Sequence, residues 1–536
     1  MYTFHKHEDL EDYLDFIESQ EIEGRALSDR IAEIQYLYLR ENQPWVIAFS
    51  GGKDSHALLT IMYFALLGIA PEDRKQPVYV VFCDTLAEAP PYLHKVMNVI
   101  NAVGKQAKRE GLPLETKVIT PKAQDTFWSR LLGRGYPAPN LKTNRWCTDK
   151  IKLQPFRDFT KEFFKDGEDP IVVIGSRSQE SKNREQIIEK YHGDSGYFDA
   201  SDPNYRRYAP IKDWSVQDVW RILGQHIQEG KYDALPKQWS SPWGQSNIAL
   251  VNLYDSTSSD AGECPLVESS NSPGCGKSRF GCWSCTVVTK DKAIDGLILH
   301  GETWLQPLAD FRNFLHSTTD TSVKKLYRND RRRDGYVKPK TPLLNSEKPE
   351  DKKKELEFVQ GPYYMHFRKE WLKQLLEIEK SIRDQGHDVR LITEDELHEI
   401  RFQWRIDPLE PDWEDELPQI FDSVYGTGII HWKQDDNNSF GELESRLIQD
   451  LSIKHSIHPD LPKKLIELEV KMSGLNKRHG IFNKIESLLR QDWGSIDEAK
   501  QKREAENVTI NVYKNELENI ESMMQEVQRE LDTEVM

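Results

Sequence analysis

The chain has 536 residues and a formal net charge of −16, enough length for two to four domains and too acidic for any global attraction to nucleic acid, so such contacts must rest on local basic patches. Its six cysteines are too sparse for a disulfide framework, and four of them fall between positions 264 and 285, which points to a metal site in a reducing compartment. The opening MYTFHKHEDLEDYLDFIESQ is acidic and lacks the apolar stretch of a secretory signal, and no apolar run approaches the ~18 to 20 residues of a membrane span. The expectation is a soluble, cytoplasmic protein with no membrane partner.

Residues 1–44 read as a charged helical segment, clearest in ALSDRIAEIQYLYLREN. From Trp45 short apolar runs alternate with longer mixed stretches: WVIAF (45–49), PVYVVFCDT (77–85), LETKVIT (114–120) and PIVVIG (170–175). That alternation predicts an α/β domain over 45–255, a parallel sheet with helices on both faces. Ligands of such sheets sit at the carboxyl ends of the strands, where Ser50, Asp84 and Gly175 fall. YAPIKDWSVQDVW (208–220) reads as structural, Ser215 capping a helix that turns Val219 and Trp220 inward. Residues 256–300 form a Ser-, Gly- and Cys-rich segment, and 301–432 a mainly helical region. There YMHFRKEWLKQLLEIEKSIRDQG stops at Gly386, and Thr393 and Glu396 stand at capping-box spacing. The stretches 345–355 and 433–439 read as exposed connections. The segment 433–536 is helical and ends in a heptad, Ile510, Tyr513, Leu517, Ile520, Met524, Val527 and Leu531, compatible with a coiled coil or with an ordinary packed helix.

The densest signal is VIAFSGGKDSHALLTIMYFAL (46–66). Gly51 and Gly52 allow a sharp turn and close approach to bare N–H groups. The helix that follows aims its unpaired N–H groups at the same spot, and Lys53, expected in a surface loop, adds a cation. Asp54 and Ser55 can orient Mg2+ or cap the helix. The spacing differs from the Walker pattern and resembles the PP-loop of ATP pyrophosphatases, which cut ATP between its α- and β-phosphates. Ser50, Gly51, Gly52, Lys53, Asp54, Ser55, Asp84 and Gly175 are the candidate nucleotide-binding residues.

Cys147, in NRWCTDKIKLQPF, lies between Arg145 and Lys150, two cations expected to lower its thiol pKa and make the sulfur reactive. Cys83, inside VYVVFC, reads as a small buried hydrophobe. In IGSRSQESKNR, Arg177 and Arg184 are candidate clamps for phosphate or sulfate oxygens, with Glu180 orienting them. Cys264, Cys275, Cys282 and Cys285 have the spacing C-x10-C-x6-C-x2-C; on spacing alone zinc and an iron–sulfur cluster both stay open. VKKLYRNDRRRDGYVKPK (323–340) carries eight Lys or Arg against two Asp, a DNA-binding patch or a basic linker.

Taken in order, the loop, DTLAEAP, DTFWSRLLGRGYPAPN, RWCT, GSRSQES and FGCWSCTVVTKDKA resemble the DNA phosphorothioation sulfurtransferases, the C proteins of the Dnd system. These stand within the PP-loop and phosphoadenosine-phosphosulfate reductase superfamily, with an adenine nucleotide alpha hydrolase-like fold. The resemblance covers about residues 30–410. It implies ATP and a [4Fe–4S] cluster on Cys264, Cys275, Cys282 and Cys285, with Lys53, Asp54, Cys147 and Arg177 as catalytic residues. It also implies DNA as acceptor, a cysteine desulfurase as sulfur donor, the D and E proteins of the system as partners, and a role in restriction-type phage defence. The C-terminal Glu-Cys-Gly-(Leu/Ile)-His segment usual in the reductases is missing: the end is RELDTEVM. Two other classes stay open, another PP-loop enzyme such as a tRNA thiolase or phosphosulfate reductase, and a scaffold stapled by its cluster.

Overall fold

The structure is a computed structural model. It describes residues 2–140, 145–164, 169–178, 199–202, 205–223, 241–248, 250–251, 254, 281–339, 358–432, 442–472, 480–506, 520, 523 and 524. Glu180, Arg184, Cys264, Cys275, the connections at 345–355 and 433–439, and five of the seven heptad residues lie outside the described residues; Ile520 and Met524 are described and exposed. Two compact units are distinguished. One comprises Met1–Phe127, Pro139–His316 and Ser381–Leu391, the other Trp128–Ala138, Ser317–Lys380 and Ile392–Met536.

The first unit is built on a six-stranded sheet. Its elements in chain order are α1 (Leu27–Arg40), β1 (Trp45–Ala48), α2 (Lys53–Leu67), β2 (Val78–Cys83), α3 (Pro90–Arg109), β3 (Leu114–Ile119), α4 (Gln154–Phe163), β4 (Ile171–Val173), β5 (Asp199–Asp202), β6 (Tyr205–Tyr208), α5 (Val216–Leu223), α6 (Lys292–Leu299) and α7 (Gln306–Ser317). The strand order is β3-β2-β1-β4-β6-β5, parallel throughout except for the antiparallel edge strand β5. β1 is central and its Trp45, Val46 and Ile47 are fully buried, as a strand covered on both faces requires. α2 is apolar nearly all round and buried along its length, the mark of a helix covered on every side. α3 opens on Pro90 and Pro91, which need no partner N–H there, and ends on Lys108 and Arg109 at its negative pole.

The four apolar runs of the sequence are β1, β2, β3 and β4. The hairpin β5–β6 is additional: YRRY and DASD lack the apolar density of the other strands. Ser215 and Asp218 cap the start of α5 reciprocally, Ser215 N donating to Asp218 Oδ2 at 2.9 Å and Asp218 N to Ser215 Oγ at 3.1 Å, with Val219 and Trp220 buried as expected.

The second unit is mainly helical: α8 (Met365–Asp384, up to Lys380), α9 (Glu394–Arg405), α10 (Glu416–Tyr425), α11 (Glu442–Lys454), α12 (Asp460–Met472) and α13 (Ile481–Leu489). The capping box of α9 is present in full, with Glu396 N donating to Thr393 Oγ1 at 3.3 Å and Thr393 N to Glu396 Oε2 at 2.8 Å. Its core holds a fully buried ion pair, Arg368 with Asp407 at 3.0 Å, and Trp404, whose indole N–H donates to the Leu132 carbonyl at 2.7 Å.

Candidate functional site

The loop between β1 and α2 is held open by its neighbours. Gly51 has φ +78°, and a Cβ there would stand 2.3 Å from Val96 Cγ2 and 2.9 Å from the Tyr92 hydroxyl; turn and close approach both require glycine. Gly52 is the N-cap of α2. The Tyr92 hydroxyl donates to the Ser50 carbonyl. The Ser55 hydroxyl donates to the Gly52 carbonyl at 2.9 Å, the Ser50 hydroxyl to that of Ser55 at 3.2 Å, and the Lys53 backbone N–H to the Tyr254 hydroxyl at 3.1 Å. Beneath them His56 sets Nδ1 3.0 Å from the Gly52 carbonyl, and burial pushes its pKa down to about 4. The ring is therefore neutral and donates through Nδ1.

Lys53 is buried, 6% exposed, rather than displayed on a surface loop. Its Nζ lies 4.9 Å from the centroid of the Tyr254 ring and 3.6 Å from Asp54 Oδ2. Asp54 is also gripped by Arg177, whose Nε stands 2.5 Å from Oδ1 and whose Nη1 donates to the Trp214 carbonyl at 3.2 Å. Gly175 makes this possible, since a Cβ there would come within 3.2 Å of the Asp54 backbone. The structure thus brings Ser50–Ser55, Gly175 and Arg177 together. It uses Arg177 to position Asp54, a carboxylate between two cations and so a poor donor for Mg2+. Asp84, at the end of β2, accepts from Leu86 N at 2.9 Å, and burial raises its carboxyl above the usual range. Leu86 stands at φ +60°, a strained conformation for a branched side chain.

The segment 84–92 joins the loop to the turn of Cys282 and Cys285. Glu88 and Cys282 form a backbone bridge, and Trp283 N donates to the Ala87 carbonyl at 2.9 Å. Thr85 donates from N and Oγ1 to Glu88 Oε2 at 3.0 and 2.5 Å, and its Oγ1 is 3.4 Å from Cys282 Sγ. Cys282 and Cys285 share a turn closed by Cys285 N to the Cys282 carbonyl, 3.1 Å. The fully buried Arg312 staples that turn, donating to the carbonyls of Cys285 at 2.7 Å, Thr289 at 2.9 Å and Val288. Cys83, Cys147, Cys282 and Cys285 are free thiols, each partly exposed.

The electrostatics correct two expectations. Burial, then the charge of Cys285, pushes the Cys147 thiol up, not down. Lys150 is turned to Asp149 at 3.1 Å. The cation felt by Cys147 is Lys152, whose own pKa is held up first by Cys282 and then by Glu88, Cys285 and Cys147. Residues 148–153 form a π-helical turn with Cys147 at its N-cap; i,i+5 residues share a face there, so no 3.6-residue period reveals the pairing. Cys83 is more than a core hydrophobe: its thiol, raised to about 12 by burial, faces the Ile151 carbonyl at 3.5 Å and feels Lys152 and Cys282. Burial likewise raises Cys282 to about 12.

Among the described residues no group of three or more His, Cys, Asp or Glu side chains is gathered closely enough to hold a metal ion. Cys282 and Cys285, free thiols on one stapled turn, are a donor pair suited to iron or zinc. Sequence reasoning missed Lys152, Glu88, Tyr92, Tyr254 and His56. Three of them stood in motifs already singled out, His56 directly after Ser55, Glu88 in DTLAEAP and Lys152 in NRWCTDKIKLQPF; Tyr92 and Tyr254 carried no such signal. Arginines of the basic run 323–340 hold carbonyls of the second unit: Arg328 those of Gly361 and Gln360, Arg332 that of Gln360, Arg333 that of Arg134 and Arg331 that of Gly494.

A parallel sheet whose central strand ends in a glycine loop feeding a buried helix, with a lysine and a carboxylate at the helix start, defines an α/β domain. Residues 44–288 match the phosphoadenosine phosphosulfate reductase domain family. Two uncharacterised proteins of Methanocaldococcus jannaschii are similar. One is 29% identical over 234 residues, 42% of this chain and 47% of the relative; the other is 30% identical over 193 residues, 36% and 34%. The chain thus spans less than half the length of either relative. Among solved structures, the U34-tRNA thiolase NcsA of Methanococcus maripaludis with its [4Fe-4S] cluster is 13% identical, covering 43% of this chain and 72% of that one at a TM-score of 0.24. No described helix is long and apolar enough to cross a membrane.

Proposed function

We propose that this protein is an ATP-dependent sulfurtransferase that activates a DNA backbone phosphate and takes part in replacing a non-bridging oxygen by sulfur. The observation that carries the reading is the adjacency of loop and thiols: Tyr92 donates to the Ser50 carbonyl while residues 85–88 of the same segment pair with Cys282 and Trp283. ATP sets its phosphates against the loop N–H groups and Lys53. A non-bridging DNA phosphate oxygen attacks the α-phosphorus, pyrophosphate leaves into the loop, and Lys53 offsets the charge growing on it. The adenylated phosphate is then open to sulfur, with AMP as leaving group. The outer sulfur of a Cys147 persulfide, charged by a cysteine desulfurase, attacks phosphorus, and a thiol reductant cleaves the remaining S–S bond. Arg177 keeps Asp54 in place; no step is assigned to Mg2+. Cys282 and Cys285, with Cys264 and Cys275, would hold a [4Fe–4S] cluster, which would supply a second sulfur or electron route. The D and E proteins of the Dnd system, a cytoplasmic setting and phage defence belong to the same reading.

The test is pyrophosphate release from ATP by the full chain, with DNA, desulfurase and cysteine, followed by digestion of the DNA and mass detection of phosphorothioate dinucleotides. Lys53→Ala abolishes both products. Cys147→Ser keeps ATP binding and iron content but loses sulfur transfer. ADP as first product refutes the reading. The family match supports a second reading, reduction of a phosphosulfate, for which sulfite is the product to measure.

A further inference from the structure

The second unit contains a cavity of about 380 Å³ lined by Arg333, Lys464 and Lys484, by the amides of Asn483 and Gln491, and by Ser487, Leu468, Leu488 and Pro408. Three of its lining residues are cationic and none is acidic. Volume and mixture are those of a small-molecule site, apolar walls with a few convergent polar groups. The cations are placed by the fold. Lys464 is 7% exposed; its Nζ donates to Gln491 Oε1 at 2.8 Å and lies 4.7 Å from the centroid of the Trp493 ring. Trp493 is itself fixed by its indole N–H on the Leu488 carbonyl at 2.8 Å. Arg333 donates to the Arg134 carbonyl at 2.8 Å and lies 3.5 Å from Asp407 Oδ2, so Lys464 and Lys484 carry most of the positive charge of the wall. Lys484, on the first turns of α13, is exposed and completes the basic wall.

We propose that this cavity binds one nucleoside monophosphate unit. The cations take the phosphate, where charge-assisted bonds are strongest; Leu468, Leu488 and Pro408 take sugar and base, and the two amides can meet the polar edge of a base. The unit can come as a free nucleotide or as one residue of a nucleic-acid strand. The site is separate from the PP-loop, and the proposal does not depend on the reaction proposed above.

The experiment is photolabelling of the full chain, with peptide mapping by mass, using 8-azido-adenosine monophosphate in one arm and a DNA 12-mer carrying one 8-azido-adenine in the other. Label is expected within residues 464–491 in at least one arm, and which arm labels names the source. Lys484→Glu, an exposed change, lowers that label at least tenfold, and Ser487→Trp, which fills the cavity, does the same. Melting curves matching the unsubstituted protein exclude unfolding as the cause. Label confined to the PP-loop peptides, or label at 464–491 that survives both substitutions, overturns the proposal.

Discussion

Gly51 shows how much one position carries. Alanine there meets two obstacles, a φ of +78° and a Cβ 2.3 Å from Val96 Cγ2. The first alone costs about 1–2 kcal/mol; the second forces α3 away from the loop. Gly51→Ala is expected to abolish pyrophosphate release and to lower the melting temperature, measured by calorimetry. His56 sets a pH limit. Its folded pKa of about 4 lies below the ordinary value, so the unfolded chain takes up the proton first as pH falls. The contribution of the neutral ring is complete above about pH 6.5 and lost as pH drops toward 4, roughly 3 kcal/mol over that window. Melting temperature should fall across it, and His56→Gln should flatten the fall. These residues also mark what the sequence could reveal. Gly51, Lys53 and Asp54 were legible because their spacing is local. The Asp54–Arg177 pair joins positions 123 apart, and burial, which reversed the expected shift of Cys147, belongs to packing that no short stretch encodes.

Elements were legible in proportion to their apolar density. β1, β2 and β4 are nearly unbroken apolar runs, β3 (LETKVI) is apolar at its ends, and each strand lies inside its predicted stretch. β6 was not visible because YRRY is half arginine, Arg206 reaching Glu41 at 2.8 Å and Arg207 lying over the Tyr205 ring at 5.5 Å. The π-helical turn after Cys147 hid Lys152 for the related reason that its period is not 3.6. The turn of Cys282 and Cys285 gives the prediction at this scale. Anaerobically purified protein is expected to be brown, with absorption near ~400 nm, and Cys282→Ser to lose that colour. Arg312→Met should lose it too, although Arg312 is not a ligand, because the carbonyls of Cys285, Val288 and Thr289 lose the donor that holds the turn. Iron analysis and visible spectra decide; a brown, iron-replete Arg312→Met protein removes the staple from the account.

The whole molecule carries −16, and its described arginines at 328 and 331–333 bond to carbonyls rather than forming an open basic face. On the proposed reading, DNA meets no open basic face among these described arginines. Association with a short duplex is expected at about 10⁵–10⁶ M⁻¹s⁻¹, the unsteered range, with weak dependence on salt; stopped-flow fluorescence measures it. A rate near 10⁸ M⁻¹s⁻¹ that collapses with salt would show a basic surface outside the described residues.

Tyr92 stands with its hydroxyl on the Ser50 carbonyl, and burial, then the neighbouring Tyr254, Glu88 and Cys282, holds its phenol well above the usual range. A ligand that shifts the Ser50 carbonyl shifts that phenol, and an occupant of the thiols would act on the same segment through the Glu88–Cys282 bridge. Thermodynamic reciprocity then ties the two: whatever factor nucleotide imposes on the affinity of the thiols for metal, metal imposes on the affinity of the loop for nucleotide. In Tyr92→Phe, which keeps the ring and loses the donor, that factor should move toward one, so apo and metal-loaded protein would bind ATP alike.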